Sequence, residues 1–127
     1  MILQGLRFVK SIDIQFSKIK IKGSFFNPEL FCTVSITNPT SFTVTIDAIK
    51  GNVFYQQNNI AYVESLQAIP ITANQAIQTE IKIIPTVSSA INLIGQFLSG
   101  SIANEFYFVG HAYVTGIPIS INQKIGS

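Results

Sequence analysis

Apolar and polar residues alternate along most of this chain with a period of two, the pattern of strands that bury one face. Ser11 to Lys22 opens with Ile12, Ile14 and Phe16 on one parity and continues with Ile19 and Ile21 on the other. The change of parity predicts a bulge or bend inside a long first strand. Gly23 to Pro28 reads as a loop. From Glu29 to Thr37, Leu30, Cys32, Val34 and Ile36 face one way, and Phe31, Thr33, Ser35 and Thr37 the other. Asn38-Pro39-Thr40-Ser41 is a turn, because Asn tolerates turn geometry and Pro fixes φ. Phe42, Val44, Ile46 and Ala48 alternate next, the phase shifts at Ile49, and Gly51 is the candidate for a second bulge.

Val53 to Tyr55 continues as strand, Gln56 to Asn59 forms a polar hairpin tip, and Ile60 to Val63 returns. Ile69-Pro70-Ile71 is a short extended step at an edge. Ala76 to Ile84 is another strand, stopped by Pro85. Helical period occurs once: from Val87 the apolar positions are Ala90, Ile91, Ile94, Phe97 and Leu98. This predicts a helix over 87–98, with Thr86 as its N-cap and Gly100 as its C-terminal cap. Asn104 to Thr115 is the most hydrophobic strand, with Gly110 in its middle, and Ile117 to Ile121 is a short last one. The expected architecture is all-β: an immunoglobulin- or fibronectin-III-like sandwich of about seven strands with one short helix, one domain spanning 1–127. Residues 1–10 read as a docking arm ahead of the first regular strand.

Composition narrows the class. Hydrophobic types make up 47% of the 127 residues and charged types 11%, against about 25% charged in a typical soluble domain. Such a chain is too apolar to be disordered. One Cys and one His exclude a disulfide framework, a Cys-based zinc site and any site needing two imidazoles. Gln4, Gly5, Arg7 and Lys10 interrupt the apolar start, so no signal peptide is expected. Nor does any apolar run reach the roughly 18–20 residues of a membrane span. The expected location is the cytoplasm or a particle assembled there, a virion among the candidates.

The net charge of +2 is local. Arg7, Lys10, Lys18, Lys20 and Lys22 all precede Gly23, and the last three share one strand face. They form a candidate basic contact. They suit better a solvated strand whose lysines discourage aggregation, and the basicity is too weak for specific nucleic-acid recognition.

The order of elements resembles a known family. A strand ends in Asn38-Pro39-Thr40, Val44-Thr45-Ile46-Asp47-Ala48-Ile49 follows, and a hairpin gives Val53-Phe54-Tyr55 and Ile60-Ala61. Then come Ile69-Pro70-Ile71, a long strand, a helix and Tyr107-Phe108-Val109-Gly110-His111-Ala112-Tyr113-Val114. This resembles the type 2 late-embryogenesis-abundant family, or WHy domain, over roughly Ile12 to Ile121. Thr40 stands where that family's turn usually carries Asn. The resemblance implies a seven-stranded sandwich with a helix at its end, no catalysis, and a link to desiccation and stress protection or to accessory modules of larger proteins.

Nothing in the chain points to catalysis or to a cofactor. His111 reads as a sheet-face residue between Tyr107 and Tyr113, and Cys32 as a small buried thiol. The six carboxylates are scattered, without metal-ligand or acid–base spacing. The informative feature is surplus hydrophobicity. A sandwich strand is polar on its outer face, yet the Asn104–Thr115 strand is apolar or aromatic on both. Either the helix and the N-terminal arm cover the surplus, or Ile2, Leu3, Leu6, Phe8, Phe25, Phe26, Phe31, Tyr107, Val109, His111 and Tyr113 are the candidate interface. The first expectation is a non-enzymatic structural subunit that meets protein partners or copies of itself. The alternatives are a soluble stress-protection protein and a binder of lipid or a small apolar ligand in a gap beside the helix.

Overall fold

A computed structural model describes residues 11–24, 27–100 and 106–125. The readings placed on residues 1–10, on Phe25 and Phe26, and on Asn104 and Glu105 lie outside them. Eight strands form: β1 (Asp13–Ser24), β2 (Asn27–Thr37), β3 (Val44–Tyr55), β4 (Asn58–Ser65), β5 (Ile69–Ile71), β6 (Ala76–Pro85), β7 (Phe106–Val114) and β8 (Ile117–Ile125). Among the described residues a helix, α1 (Ala90–Leu98), lies between β6 and β7. The fold is all-β, as the alternation predicts.

The strands form one antiparallel sheet in the order β1-β2-β6-β4-β3-β7-β8, with β5 paired to the start of β3. β4 pairs with β3 along most of its length and with β6 through Ala61↔Pro85, Tyr62↔Ile84 and Val63↔Ile83. It forms the corner about which the sheet curls. The two halves then face each other: Phe16 of β1 stacks on Phe108 of β7 with ring centroids 4.1 Å apart. The alternating sets meet between them. Leu30, Cys32, Val34 and Ile36 are buried, as are Ile46, Ile49 and Val53, Ile81 and Ile83, and Phe106, Phe108, Ala112 and Val114.

Curling brings the outer strands β1 and β8 side by side, and Gln123 joins them. Its side-chain carbonyl accepts from the Phe16 amide at 3.0 Å, and its amide donates to the Ile14 carbonyl. One side chain thus satisfies both polarities of an edge that a sheet otherwise leaves open.

Several boundaries differ from the sequence reading, each for a physical reason. The bulge in β1 falls between Phe16 and Lys18, where the parity changes, and the Ser17 hydroxyl donates to the Thr33 carbonyl there. The second irregularity lies between Ile46 and Ala48 rather than at Gly51. Asp47 turns its carboxylate to the Gly116 amide at 2.7 Å, while Gly51 serves a close approach described below. The Gly23–Pro28 loop is shorter than expected, because pairing continues to Ser24↔Asn27. The helix begins at Ala90, not 87, since the Thr86 amide bonds the Ile60 carbonyl at 2.9 Å and prolongs the β6–β4 ladder. Thr86 therefore does not cap it, whereas Gly100 takes φ 79° just beyond its end. β8 runs on to Ile125 because Ile121 and Ile125 are both buried. Two tight hairpins carry left-handed residues, Gln56 and Gln57 (φ 51° and 70°) and Thr115 and Gly116 (φ 49° and 81°), the geometry two-residue turns require.

Candidate functional site

The hairpins β3–β4 and β7–β8, remote from each other in sequence, lie side by side through the pairing of β3 with β7, so their registers align side chains into rows across the outer face. Glu64 pairs with Lys50, Lys50 with His111 and His111 with Ser120. Two residues along, Tyr62 pairs with Asn52, Asn52 with Val109 and Val109 with Asn122. Between these rows lies a third, Val63, Gly51, Gly110 and Ile121, whose positions face inward. The result is a furrow of about 630 Å³, walled by the two outward rows and floored by the third.

The glycines in that floor are required by contact. A Cβ on Gly110 would collide with the Lys50 carbonyl oxygen and lie 2.5 Å from the Gly51 Cα. A Cβ on Gly51 would lie 2.5 Å from the Phe108 ring and 2.6 Å from the Val109 carbonyl oxygen. Gly110 therefore makes room for the opposing backbone of β3.

The walls carry both polar and aromatic groups. The Lys50 ammonium sits 6.0 Å from the Tyr113 ring centroid, and the His111 and Tyr113 rings are 6.4 Å apart. Asn52 accepts from the Asn59 side chain at 3.1 Å. Glu64, Tyr62, Ser120 and Asn122 make no side-chain hydrogen bond or ion pair with described residues. Ser120 stands opposite His111, and no hydrogen bond joins them. In the wall Val109 and Tyr62 are 39% and 41% exposed, and beside the furrow Tyr107 is 42% exposed.

Four of the candidate interface residues thus share one face: Tyr107, Val109, His111 and Tyr113. Phe31 is not with them. It lies half-buried on the outer face of β2, with the Lys22 ammonium 5.1 Å from its ring centroid. Lys18, Lys20 and Lys22 are exposed there, and the latter two pair with Glu80 of β6, Lys20 at 3.3 Å. First Lys22 and then Lys20, by hydrogen bonding, hold the Glu80 carboxyl below its ordinary pKa. The basic ridge is therefore partly neutralised from a strand remote in sequence. Asn38, Pro39 and Thr40 form a structural lock. The buried Asn38 amide donates to the carbonyls of Phe42 (2.7 Å), Ile71 (3.1 Å) and Thr72 (3.2 Å). Its oxygen accepts from the Thr40 amide (3.0 Å) and hydroxyl (2.6 Å). Cys32 is buried, and desolvation pushes its thiol up to about 12.

Sequence reasoning missed Lys50, Asn52, Tyr62, Glu64, Ser120 and Asn122. Their alternation marks them as outward-facing, but their meeting depends on the strand order. Among the described residues no group of three His, Cys, Asp or Glu side chains could hold a metal, and no helix is long and apolar enough to cross a membrane.

Fold and face together define an all-β sandwich whose concentrated surface feature is a furrow across one sheet, and solved structures share the fold. A protein from Archaeoglobus fulgidus superposes with a TM-score of 0.60 at 6% identity, over 92% of this chain and 94% of that one. The Arabidopsis thaliana protein AT1g01470 superposes with a TM-score of 0.53 at 18% identity, over 90% of this chain and 80% of that one. At these identities the likeness is one of fold. No protein-family profile matches the chain, and no curated protein does.

Proposed function

We propose that this protein is a non-enzymatic interaction module, a sandwich subunit that packs into a larger assembly through the outer face of β3, β7 and β8. The observation that carries the reading is Tyr107 and Val109, exposed in a strand that carries apolar or aromatic side chains on both faces. An aromatic side chain on a sheet supplies large contact area at little entropic cost, and such residues are enriched at interfaces. The low charge of the chain fits a surface that is covered in use. A particle assembled in the cytoplasm, a virion for instance, is the setting this reading favours.

Light scattering at micromolar concentration tests it. The wild type is expected above the monomer mass of 13.9 kDa, and Tyr107→Lys at that mass, because a charge at the contact must be desolvated. A wild type that stays monomeric and retains no protein on native pull-down rules the reading out.

The second reading is stress protection, favoured by the order of the Asn38-Pro39-Thr40 turn, the Tyr55 hairpin, the Ile69-Pro70-Ile71 step and the Tyr107–Val114 strand. Its test is a client enzyme dried with and without this protein. Protection no better than that from an inert protein removes it.

A further inference from the structure

The rows beside the furrow hold polar groups that the fold itself does not use. Glu64, Ser120 and Asn122 have no side-chain hydrogen-bond partner among the described residues, and Tyr62 presents a ring and a hydroxyl to solvent. Asn52 has only its oxygen engaged, by Asn59. We propose that the furrow binds a neutral oligosaccharide. This goes beyond the assembly reading: both use the outer face of β3, β7 and β8, Val109 included, but this one rests on the polar rows and not on Tyr107.

Charge narrows the ligand first. Lys50 and Glu64 are register partners in one wall and cancel, so the furrow has no single-sign field to attract a polyanion or a polycation. Hydrogen-bonding type narrows it next. The Asn52 and Asn122 amides each carry donors and an acceptor, the Ser120 hydroxyl does both, Glu64 accepts and Lys50 donates. Such a mixture suits a ligand whose hydroxyls both donate and accept around its rim. Tyr62 adds a flat apolar plate, matching the C–H face of a sugar ring.

Backbone pairing argues against an extended peptide. Peptides join sheets by pairing with an open strand edge, whereas β3 and β7, the middle of the furrow, have neighbours on both sides and β8 is joined to β1 by Gln123. Shape agrees with an oligosaccharide. Four strands at about 4.8 Å spacing make a furrow about 14 Å long, and the two-residue repeat makes it about 7 Å wide. It is therefore a trough for a short chain rather than a hole for a single ring.

Amide NMR shifts of the labelled protein test the proposal, with maltotriose, cellotriose, chitotriose and mannotriose added separately. Concentrations reach about 10 mM, above the ~1 mM Kd of a weak shallow site. At least one trisaccharide is expected to move the amides of Gly51, Asn52, Gly110 and His111. Asn122→Ala is expected to raise its Kd about tenfold, the loss of one good hydrogen bond. If the wild type self-associates, Tyr107→Lys serves instead, since Tyr107 does not line the furrow. The proposal is overturned if none of the four moves those amides, or if the neutral peptide Gly-Asn-Ser-Gly moves them and the sugars do not. The two readings fail separately. A monomeric wild type with trisaccharide shifts discards assembly and keeps the furrow. Association lost in Tyr107→Lys, with no response to sugar, does the reverse.

Discussion

Replacing Asn38 with alanine removes a partner from the carbonyls of Ile71 and Thr72 and from the Thr40 amide, while the Phe42 carbonyl and the Thr40 hydroxyl keep each other. Buried polar groups left unpaired cost about 1–3 kcal/mol each, so a loss of about 2–4 kcal/mol in urea unfolding is expected after local relaxation. Asn38→Asp is expected to lose more, because its carboxylate would face carbonyl oxygens. A loss under ~0.5 kcal/mol for Asn38→Ala, the range of an ordinary surface change, would show that the lock is not one. Cys32 makes a pH prediction. Burial lifts the folded thiol from 9.0 to about 12, so the unfolded chain ionises first. Stability is then complete below pH 9 and falls as pH rises toward 12. Cys32→Ala is expected to flatten that alkaline slope, and the native thiol to resist iodoacetamide at neutral pH. A slope unchanged by the substitution counts against this account. The turn at Asn38 is legible from Asn-Pro alone. Its lock to Thr72 is not, because the partner loop lies more than thirty positions away.

Strand pairing decides what a glycine is worth. Gly110→Ala is expected to destabilise by about 3 kcal/mol, the upper range for an overpacked site, because its Cβ would meet the backbone of Lys50 and Gly51. Gly95→Ala is the control. It lies in α1 with nothing within 4 Å of a new Cβ, so a gain of about 0.5–1 kcal/mol is expected from helix propensity. Thermal unfolding of the two variants checks the contrast, and equal effects would contradict it. Alternation sufficed to place nearly every strand and the first bulge, since parity is a local property. The start of α1 was hidden because Ile60, a distant residue, claims the Thr86 amide. The furrow was hidden for the same reason on a larger scale. Glu64, Lys50, His111 and Ser120 form one row only after β4, β3, β7 and β8 take their order.

The molecule as a whole depends on how its curled sheet is closed. Gln123→Ala removes both hydrogen bonds between β8 and β1. A loss of about 1–3 kcal/mol is expected, with faster hydrogen exchange at the Phe16 amide. Unchanged exchange there would mean that packing alone holds the strands together. The ion pairs of Glu80 are a different case. They lie exposed on the outer face of β1, β2 and β6, so Glu80→Gln is expected to lower Tm only slightly, and in high salt not at all. With a depressed carboxyl, that small contribution persists above the ordinary carboxylate pKa and fades as pH falls through the folded value.

Gln123 also sets an order of events during synthesis. Its partners Ile14 and Phe16 leave the ribosome more than a hundred residues earlier. Throughout that interval β1 can pair with β2 while its other side lacks the side chain that will cover it. Lys18, Lys20 and Lys22 emerge with that strand, before β8 exists, and lysines of this kind discourage edge-to-edge joining of strands. The lysine end of the strand is thus charged from the start and meets Glu80 once β6 is made, while the Ile14–Phe16 end stays open until Gln123 arrives.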